Sequence, residues 1–556
     1  MKRASCYCWL IVGAAIVLPR PAMPAGTWTP LANTAPGAVG TMLLLSDGSV
    51  MAHHAGVTSN WFCLRPDARG SYSNGTWTTL ASMHDARLYF ASDVMSDGRV
   101  FVAGGEYGIT NGNVVARAPN SRTAEVYDPL TNAWTLLPSS GQDFYDAVSK
   151  VVSNGNVLIA PVFPSSSGGT VLFNPTSNAW VTGPNLFRGV YQDEATWVKL
   201  PDQSILTIDP FGTNSERYIP GLNAWVNDGN VPVALYDNFV FELGAAFMLA
   251  DGRAFFLGST GHTAFYTPSA TASPGTWTAG PDIPGTHGTP DAPAAMMVNG
   301  KILCAVSPVS TSGNPFPTPT TFYEFDPISN AFTLVSAPTG ASLSMAPYDT
   351  RMLDLPDGSV LFSRDSNTVY RYTPDGAPLA AGKPTIQTIA LNANGSYHLA
   401  GTKLNGISEG AAYGDDAQMD SNYPLVRFSD ATGAVYYART FRWSSTGVLT
   451  NNLVVSTEFT APSMPHGAYS AVVVANGISS DPVWYYTPDA LQIAEGSPQP
   501  VVSWPVVGSN PLLQTTTNLV AGVWVTVTNG IGVVGTDFVF TNSAGRNPLF
   551  FRLRDQ

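Results

Sequence analysis

The chain has 556 residues, enough for several domains and a large core, and its formal net charge at neutral pH is −13. Only 12% of the residues are charged, whereas 52 are glycine and 44 are proline, a profile typical of turn-rich all-β proteins. The acidic balance argues against binding to nucleic acid.

Residues 1–25 are predicted to be a secretory signal peptide. Lys2 and Arg3 precede an apolar run that ends at Leu18, and small residues follow it. The run is too short to span a membrane, and no later stretch reaches the ~18 apolar residues that a spanning helix needs. We therefore expect a secreted or cell-surface protein with no transmembrane segment. Cys63 and Cys304 are expected to be buried free thiols, although an exported protein could join them in a disulfide.

Residues 83–134 show a unit that the following chain repeats. The Asp-Gly pair at Gly98 predicts a tight turn between two buried strands, because it supplies the positive backbone angles that a hairpin needs. Asp128 and Pro129 predict a second turn, and Trp134 provides an apolar side chain for packing on the next copy. The unit is therefore predicted to have four strands.

The tight turn recurs seven times at a spacing of roughly 50 residues, which is typical of kelch repeats. The turn positions are Gly48, Gly98, Gly155, Gln203, Gly252, Gly300 and Gly358. Aromatic residues follow in the fourth strand of each copy but the seventh, and residues 26–31 resemble an isolated fourth strand. The sequence predicts a seven-bladed kelch β-propeller over residues 26–383, with this N-terminal strand completing blade seven.

The period disappears after the propeller. Residues 384–487 contain alternating strands without kelch turns, which favours an immunoglobulin-like β-sandwich. A linker is predicted at 495–500, and residues 488–556 are expected to form a small C-terminal β module. The predicted fold class is therefore all-β throughout.

GTKLNGISEGAAYGDDAQMDSNYPLVRF (401–428) and VYYARTF (435–441), placed after a kelch propeller, resemble the galactose oxidase-like family. The resemblance covers roughly residues 26–487 and identifies the sandwich as an early-set domain. Enzymes of that family bind one copper through two tyrosines and two histidines, and one tyrosine is thioether-linked to a cysteine. The resemblance therefore implies a copper site whose residues can be compared one by one.

Two of the five positions match. Tyr89 and Tyr348 correspond to the two tyrosines, whereas the cysteine position falls near Val39. The histidine after the second tyrosine is Asp349, and the last histidine is expected where Phe441 stands. Because Cu(II) favours imidazole and the radical tyrosine needs its thioether, we expect no copper and no alcohol oxidation at this site.

Carboxylates and tyrosines recur nine or ten residues before the turn positions. These residues begin the innermost strands, which surround the mouth of the central channel in a propeller. Arg87 is the nearest cation in the sequence. The predicted ligand-binding residues are Arg87, Tyr89, Tyr145, Asp146, Asp193, Glu194, Glu242, Asp291, Tyr348 and Asp349.

Such a cluster has several chemical uses. It could bind Ca²⁺ through oxygen ligands, hydrogen-bond a sugar whose ring stacks on an aromatic side chain, or supply a general acid. The structural alternative is that the carboxylates satisfy backbone amides. We expect a monomeric, non-redox interaction protein for a carbohydrate or another polar small ligand. The alternatives are an oxidase with substituted copper ligands and a carboxylate-dependent glycan hydrolase or lyase.

Two further groups of polar residues are less informative. Asp415, Asp416 and Asp420 could form a Ca²⁺ loop, but their spacing is not that of an EF-hand and favours a turn held by Asx hydrogen bonds. His53 and His54 have no third partner at a useful spacing, so packing or exposure is predicted rather than metal binding.

Overall fold

A computed structural model gives the fold of most of the chain. It describes residues 26–164, 168–412, 419–465, 467–487, 491–494, 499, 501–505, 512–520, 522–535, 537–541 and 549–554. The predicted signal peptide, Asp415, Asp416 and most of the predicted linker lie outside these ranges. Within them the chain is all β apart from the short 3₁₀ segments Pro119–Arg122, Pro284–Thr286, Pro347–Asp349 and Ala380–Gly382.

Seven antiparallel sheets form the blades of the predicted propeller, and each blade has four strands of its own, although further strands join the sheet of blade six. The blades are numbered here in chain order, and the strands of each are given from the innermost outward. Blade one contains Val39–Leu44, Val50–His54, Trp61–Arg65 and Thr76–Thr79. Blade two contains Ala91–Val94, Val100–Ala103, Ala124–Asp128 and Ala133–Leu136. Blade three contains Ser149–Val151, Val157–Ile159, Val171–Asn174 and Ala179–Thr182. Blade four contains Val198–Lys199, Ile205–Ile208, Asn214–Ile219 and Ala224–Asn230.

The remaining three blades follow the same plan. Blade five contains Leu243–Met248, Ala254–Gly258, Thr263–Thr267 and Thr276–Ala279. Blade six contains Ala294–Met296, Ile302–Pro308, Thr321–Asp326 and Ala331–Val335, and His287–Gly288 pairs with its second strand. Blade seven contains Arg351–Asp354, Val360–Ser363, Tyr370–Thr373 and the N-terminal strand Thr27–Pro30.

The inner hairpin turn has the same geometry in all seven blades. In each, the amide at the turn position donates to the carbonyl three residues earlier, as Gly48 does to Leu45 at 2.9 Å. The φ angle at the turn position is positive in every copy, including 67° at Gln203, where glycine is replaced. The local turn prediction is thus confirmed, and it sets the register of the two innermost strands.

The N-terminal strand closes the ring. Thr27 to Pro30 pair in antiparallel register with Thr373 to Tyr370, as the isolated fourth strand predicted. Trp28 contacts the rings of Phe362 and Tyr372 in the same blade and that of Phe322 in blade six. The sheet edge of blade seven is therefore covered by residues from the beginning of the chain.

The outer-strand tryptophans bind the preceding blade rather than the next one. Trp134 of blade two packs on Trp61 of blade one, with ring centroids 5.8 Å apart, and its indole N–H donates to the carbonyl of Ala81 at 2.9 Å. Trp134 therefore packs against another blade, as expected, but this is the preceding blade and not the following one.

Blade two also carries an insertion before and after its first hairpin. Arg87–Leu88, Tyr107–Thr110 and Asn113–Ala116 form a separate three-stranded sheet. This sheet lies at the end of the blade where the innermost strand begins, because Leu88 lies three residues before the first residue of that strand, Ala91. It brings residues from outside the repeat to the channel mouth.

The sandwich follows the propeller as predicted. Its strands are Thr385–Leu391, Tyr397–Thr402, Leu425–Ser429, Val435–Phe441, Val454–Thr460, Ala468–Ala475, Ile478–Ser479 and Val483–Tyr486. The C-terminal residues form two small sheets. One contains Gln492–Ala494, Val501–Pro505, Ile531–Val534 and Asp537–Thr541, and the other contains Leu512–Thr516, Val525–Thr526 and Phe550–Arg554.

A segment that leaves the sandwich enters the propeller channel. Its strand Ala411–Ala412 pairs with the innermost strand of blade six, and Glu409 contacts Lys150 and Lys199 on the innermost strands of blades three and four. We call the described residues 404–412 and 419–423 the channel segment. No helix in the described part of the chain is long and apolar enough to cross a membrane.

Candidate ligand-binding site

A cavity of about 430 Å³ lies where the innermost strands begin. Among the residues that the structure describes, every charged side chain that lines it is a carboxylate, and these come from five successive blades: Glu106, Asp146, Glu194, Glu242 and Asp291. The other lining residues are aromatic or aliphatic: Tyr89, Tyr107, Phe316, Tyr348, Val57, Leu88 and Val114. Its volume falls within the range of small-molecule sites, and its walls combine apolar surface with a few polar groups.

An unusual backbone conformation recurs around this mouth. Five residues in successive blades have positive φ angles although none is glycine: Tyr89, Tyr145, Glu194, Phe241 and Asp291, with values of 52°, 55°, 54°, 64° and 50°. Non-glycine residues adopt this conformation only where the surrounding structure holds it, and such strain is concentrated at functional sites. Here the Tyr89 carbonyl accepts from the Glu106 amide at 2.8 Å.

Two overlapping groups of carboxylates lie within the mouth. One ligand oxygen from each of Asp146, Asp193 and Glu194 can be chosen so that all lie within 4.8 Å of one another. The same holds for Glu194, Glu242 and Asp291. Because Glu194 belongs to both groups, it lies at the centre of the negative charge. Oxygen donors at such separations are those that Ca²⁺ uses.

The pKa values of three tyrosines at the mouth are raised, in part by these carboxylates. The charge of Glu106 and partial burial raise the pKa of the Tyr107 phenol. Tyr145 donates its hydroxyl to Glu106 at 3.2 Å, and burial together with the same carboxylate raises its pKa. The pKa of Tyr348 is raised by burial and by the negative charges of Asp349 and Asp291. All three phenols are therefore protonated donors at neutral pH.

The structure brings most of the predicted residues together. Six of them line the cavity: Tyr89, Asp146, Glu194, Glu242, Asp291 and Tyr348. Asp193 belongs to the first carboxylate group, and Tyr145 donates its hydroxyl to the lining carboxylate of Glu106. Asp349 is half-buried, and burial raises its pKa above the ordinary value. Val39 is fully buried in the first strand of blade one.

Arg87 occupies a different place from the one predicted. Its side chain is fully buried and forms a 2.8 Å ion pair with Glu125. Its guanidinium also donates to the carbonyls of Gly104 and Asn120. A side chain so enclosed cannot reach a ligand, so its role is to support the turn beneath the cavity.

Arg351 is the cation that sequence reasoning overlooked. Its guanidinium carbon lies 5.7 Å from the centroid of the Tyr89 ring, and its Nη1 donates to the carbonyls of Tyr348 and Thr350. Arg351 is buried. The two tyrosines that match the copper family are thus bridged by a permanent positive charge.

The donor chemistry of the cavity does not fit the copper site of the resembling family. Its described lining offers phenol and carboxylate oxygens, and neither imidazole nor thiol is among them. Copper(II) favours imidazole nitrogen, and the nearby guanidinium of Arg351 opposes a cation at Tyr89 and Tyr348.

Phe441 does not correspond to a residue of this site. Its ring lies beneath the guanidinium of Arg439, whose Nη2 donates to the carbonyl of Asp97, and the amide of Arg442 donates to the carbonyl of Ser96. Those carbonyls belong to the hairpin turn of blade two, at the opposite end of the innermost strand from Tyr89. The part of the sandwich that enters the channel is instead the channel segment.

The other polar residues singled out in the sequence have structural surroundings. Asp420 accepts a hydrogen bond from Lys150 at 2.9 Å and forms an ion pair with it, whereas the other two residues of the predicted Asx turn lie outside the described residues. His53 is buried against Trp61 and Phe90, and burial lowers its pKa to about 4, so the packing prediction is confirmed. Cys63 and Cys304 are free and buried, as expected.

Six lining residues were not predicted, and three of them are acidic or aromatic. Glu106 and Tyr107 come from the insertion of blade two, and Phe316 comes from the long connection between the second and third strands of blade six. Their only sequence signal is an acidic and aromatic composition within loops that break the repeat, since the repeat spacing does not reach them.

Comparison with known proteins locates the repeat. A model of the kelch motif matches residues 87–141, which cover blade two. An F-box/kelch-repeat protein of Arabidopsis thaliana is 27% identical over 172 residues, or 30% of this chain and 43% of that protein. The spermatocyte protein spe-26 of Caenorhabditis elegans is 31% identical over 115 residues, or 19% of this chain and 18% of that protein. The chain thus spans less than half the length of these curated relatives.

Solved structures also align with the chain. A fungal alcohol oxidase of the AA5 family, in complex with copper, is 14% identical with a TM-score of 0.46, covering 84% of this chain and 99% of that one. A catalytically inactive virginiamycin B lyase of Staphylococcus aureus with quinupristin is 12% identical with a TM-score of 0.42, covering 63% of this chain and all of that one. The kelch match and the seven blades described above identify the fold: the chain is a kelch β-propeller followed by a β-sandwich and a small β module.

Proposed function

We propose that this chain is an exported, monomeric, non-redox binding protein that recognises a carbohydrate or another polar small ligand in the cavity at the channel mouth. The observation that carries the proposal is the combination, in one cavity of about 430 Å³, of five carboxylates and four aromatic rings. Carboxylates accept hydrogen bonds from hydroxyl groups, and aromatic rings pack against the apolar face of a sugar.

The residues divide between these two tasks. Asp146, Glu194 and Glu242 are the acceptors, and they come from blades three, four and five. Tyr89 and Tyr348 form the aromatic walls near the buried Arg351. The positive-φ backbone at Tyr89 and Glu194 is part of the fold itself, so the site is formed before the ligand arrives.

Calcium binding is a second candidate for the same site. The separation of at most 4.8 Å among Glu194, Glu242 and Asp291 favours it, because one ion could accept an oxygen from each. A bound ion could then hold adjacent sugar hydroxyls directly. Hydrolysis or elimination would require in addition one carboxylate acting as an acid beside an ionised partner.

Binding of glycans with and without Ca²⁺ tests the proposal. A glycan array on the purified chain is followed by calorimetry with the best glycan, using the Glu194→Gln variant and the exposed-site control Asp282→Asn. Asp282 pairs with His262 at the surface and does not line the cavity. We expect the first substitution to abolish binding and the control to leave it unchanged.

Three results would contradict the proposal. The first is binding that survives Glu194→Gln, since this carboxylate is shared by both acidic groups. The second is the absence of any bound glycan or polar small ligand, with or without Ca²⁺. The third is turnover of the bound glycan, followed by mass spectrometry, which would replace binding by the hydrolase or lyase alternative.

A further inference from the structure

An exposed aromatic patch lies in the loops of blades four and five. The rings of Tyr191 and Phe211 have centroids 5.3 Å apart, and those of Phe211 and Phe241 are 4.8 Å apart. The exposed fractions are 48% for Phe211 and 37% for Phe241, so two phenyl rings in contact with each other face solvent. We call these three residues the aromatic patch.

The aromatic patch adjoins the cavity. Phe241 directly precedes Glu242, which lines the cavity. Burial and then the charge of Asp193 raise the pKa of the Tyr191 phenol, so this ring lies near a carboxylate of the first acidic group. A ligand long enough to leave the cavity on this side would therefore pass over exposed rings.

The loops that carry the patch are held in place. The carboxylate of Asp237 accepts the amide of Phe239 at 2.7 Å and that of Glu242 at 2.9 Å, so it fixes the turn on either side of Phe241. Tyr236 donates its hydroxyl to the carbonyl of Ile208 at 3.2 Å, which joins this loop to the end of the strand that precedes Phe211. The patch is therefore already ordered before a ligand binds.

The charge of the site selects among polar ligands. The charged residues in the described part of the cavity lining are all acidic, and the chain as a whole carries a formal charge of −13. Two groups of three carboxylates each fit within 4.8 Å, and a positive group between them lowers their mutual repulsion. An anionic sugar would add to that repulsion, and a neutral one would leave it unchanged.

We propose that the ligand is an oligosaccharide of amino sugars with free amines. Its ammonium groups would lie among Asp146, Glu194 and Glu242, and the following sugar would pack on Phe211 and Phe241. Both parts of the site are needed for this assignment. The carboxylates explain why the ligand carries positive charge, and the aromatic patch explains why it has more than one sugar. This inference rests on the proposed function and specifies the ligand class of the same site.

Calorimetry with matched oligosaccharides tests this proposal. The probes are a tetramer of glucosamine, the N-acetylated tetramer of the same length, and glucosamine itself. We expect the free-amine tetramer to bind about tenfold or more tightly than the N-acetylated one, because acetylation removes its positive charges. We expect the monomer to bind more weakly than the tetramer, since it cannot reach the patch.

Substitutions in the patch separate length from charge. Phe211→Ala is expected to weaken binding of the free-amine tetramer about fivefold, within the range measured for aromatic contacts, and to leave the monomer unaffected. Leu334→Ala, at an exposed outer strand of blade six, is the matched control and should change neither. Phe211→Leu repeats the test if the alanine variant does not fold.

The outcomes distinguish this inference from the proposed function. Equal affinity for the free-amine and N-acetylated tetramers overturns the amino-sugar assignment. Unchanged tetramer affinity in both Phe211 variants overturns the role of the patch. In either case a neutral glycan whose binding is lost in Glu194→Gln leaves the proposed function standing. Failure of every glycan to bind overturns both.

Discussion

Lys150 of blade three and Glu409 of the channel segment form an ion pair of 3.0 Å in which both side chains are more than nine-tenths buried. Burial alone would raise the pKa of Glu409, but Lys150 and Lys199 hold it below the ordinary value. Asp420 bonds to the same lysine at 2.9 Å. The sandwich therefore supplies the carboxylates that compensate two lysines inside the propeller channel, which couples the folding of the two parts.

Removing Lys150 tests this coupling. Lys150→Met leaves Glu409 and Asp420 buried with reduced compensation, and we expect a loss of about 3–5 kcal/mol in the free energy of unfolding. Urea unfolding followed by tryptophan fluorescence measures the change. Lys383→Met is the control, because its ion pair with Asp481 is exposed and its loss should cost less than about 1 kcal/mol. Equal effects of the two substitutions would contradict the coupling.

Trp28 tests the closure of the ring by the N-terminal strand. Its ring contacts three aromatic side chains of blades six and seven, and its N–H donates to Ser336 at 2.7 Å. Trp28→Ala should lower the free energy of unfolding by about 3 kcal/mol, since aromatic truncations in packed sites cost this much. Trp484→Ala, whose side chain is 72% exposed, should have almost no effect. Comparable melting temperatures of the two variants would exclude a role for Trp28 in closure.

His53 predicts a specific dependence of stability on pH. Its pKa is lowered from the ordinary value of 6.5 to about 4, with burial as the largest cause. The unfolded chain then binds the proton more tightly than the folded one, so this contribution is complete above pH 6.5 and is lost as the pH falls to about 4. It amounts to roughly 3 kcal/mol. His53→Gln should therefore flatten the fall in the free energy of unfolding between these pH values, and an unchanged slope would contradict the prediction.

Copper loading tests the comparison with the resembling family. After incubation with Cu²⁺ and desalting, elemental analysis should find far less than one copper per chain, because the cavity offers oxygen donors beside the cation Arg351. Arg351→Met removes that cation while the oxygen donors stay, and it should raise weak copper uptake without producing a tyrosyl radical. One tightly bound copper in the unmodified chain, with an optical radical signature, would restore the oxidase alternative.

The sequence by itself determined the architecture. Seven copies of one turn, each with a positive φ at the same position, define the hairpins through interactions between residues close in the chain. Because each innermost strand leads into one of these turns, counting back from the turn also identified where that strand begins. This is why the spacing alone could point to Tyr89, Glu194 and Asp291, which line the cavity. The N-terminal strand was recognised by the same logic, as the fourth strand that blade seven lacked.

Only the tertiary structure decided which polar residues face the cavity and which support it. Arg87 and Arg351 cannot be told apart by their side-chain chemistry. In the structure, however, Arg87 forms a buried ion pair with Glu125, whereas Arg351 lies beside the ring of Tyr89. Glu106 and Phe316 reach the cavity from loops without a period, and Phe441 lies at the other end of blade two. These placements arise from contacts within and between blades that join residues far apart in the chain. Periodicity reports local hydrogen bonding, whereas the environment of a charge depends on every element packed around it.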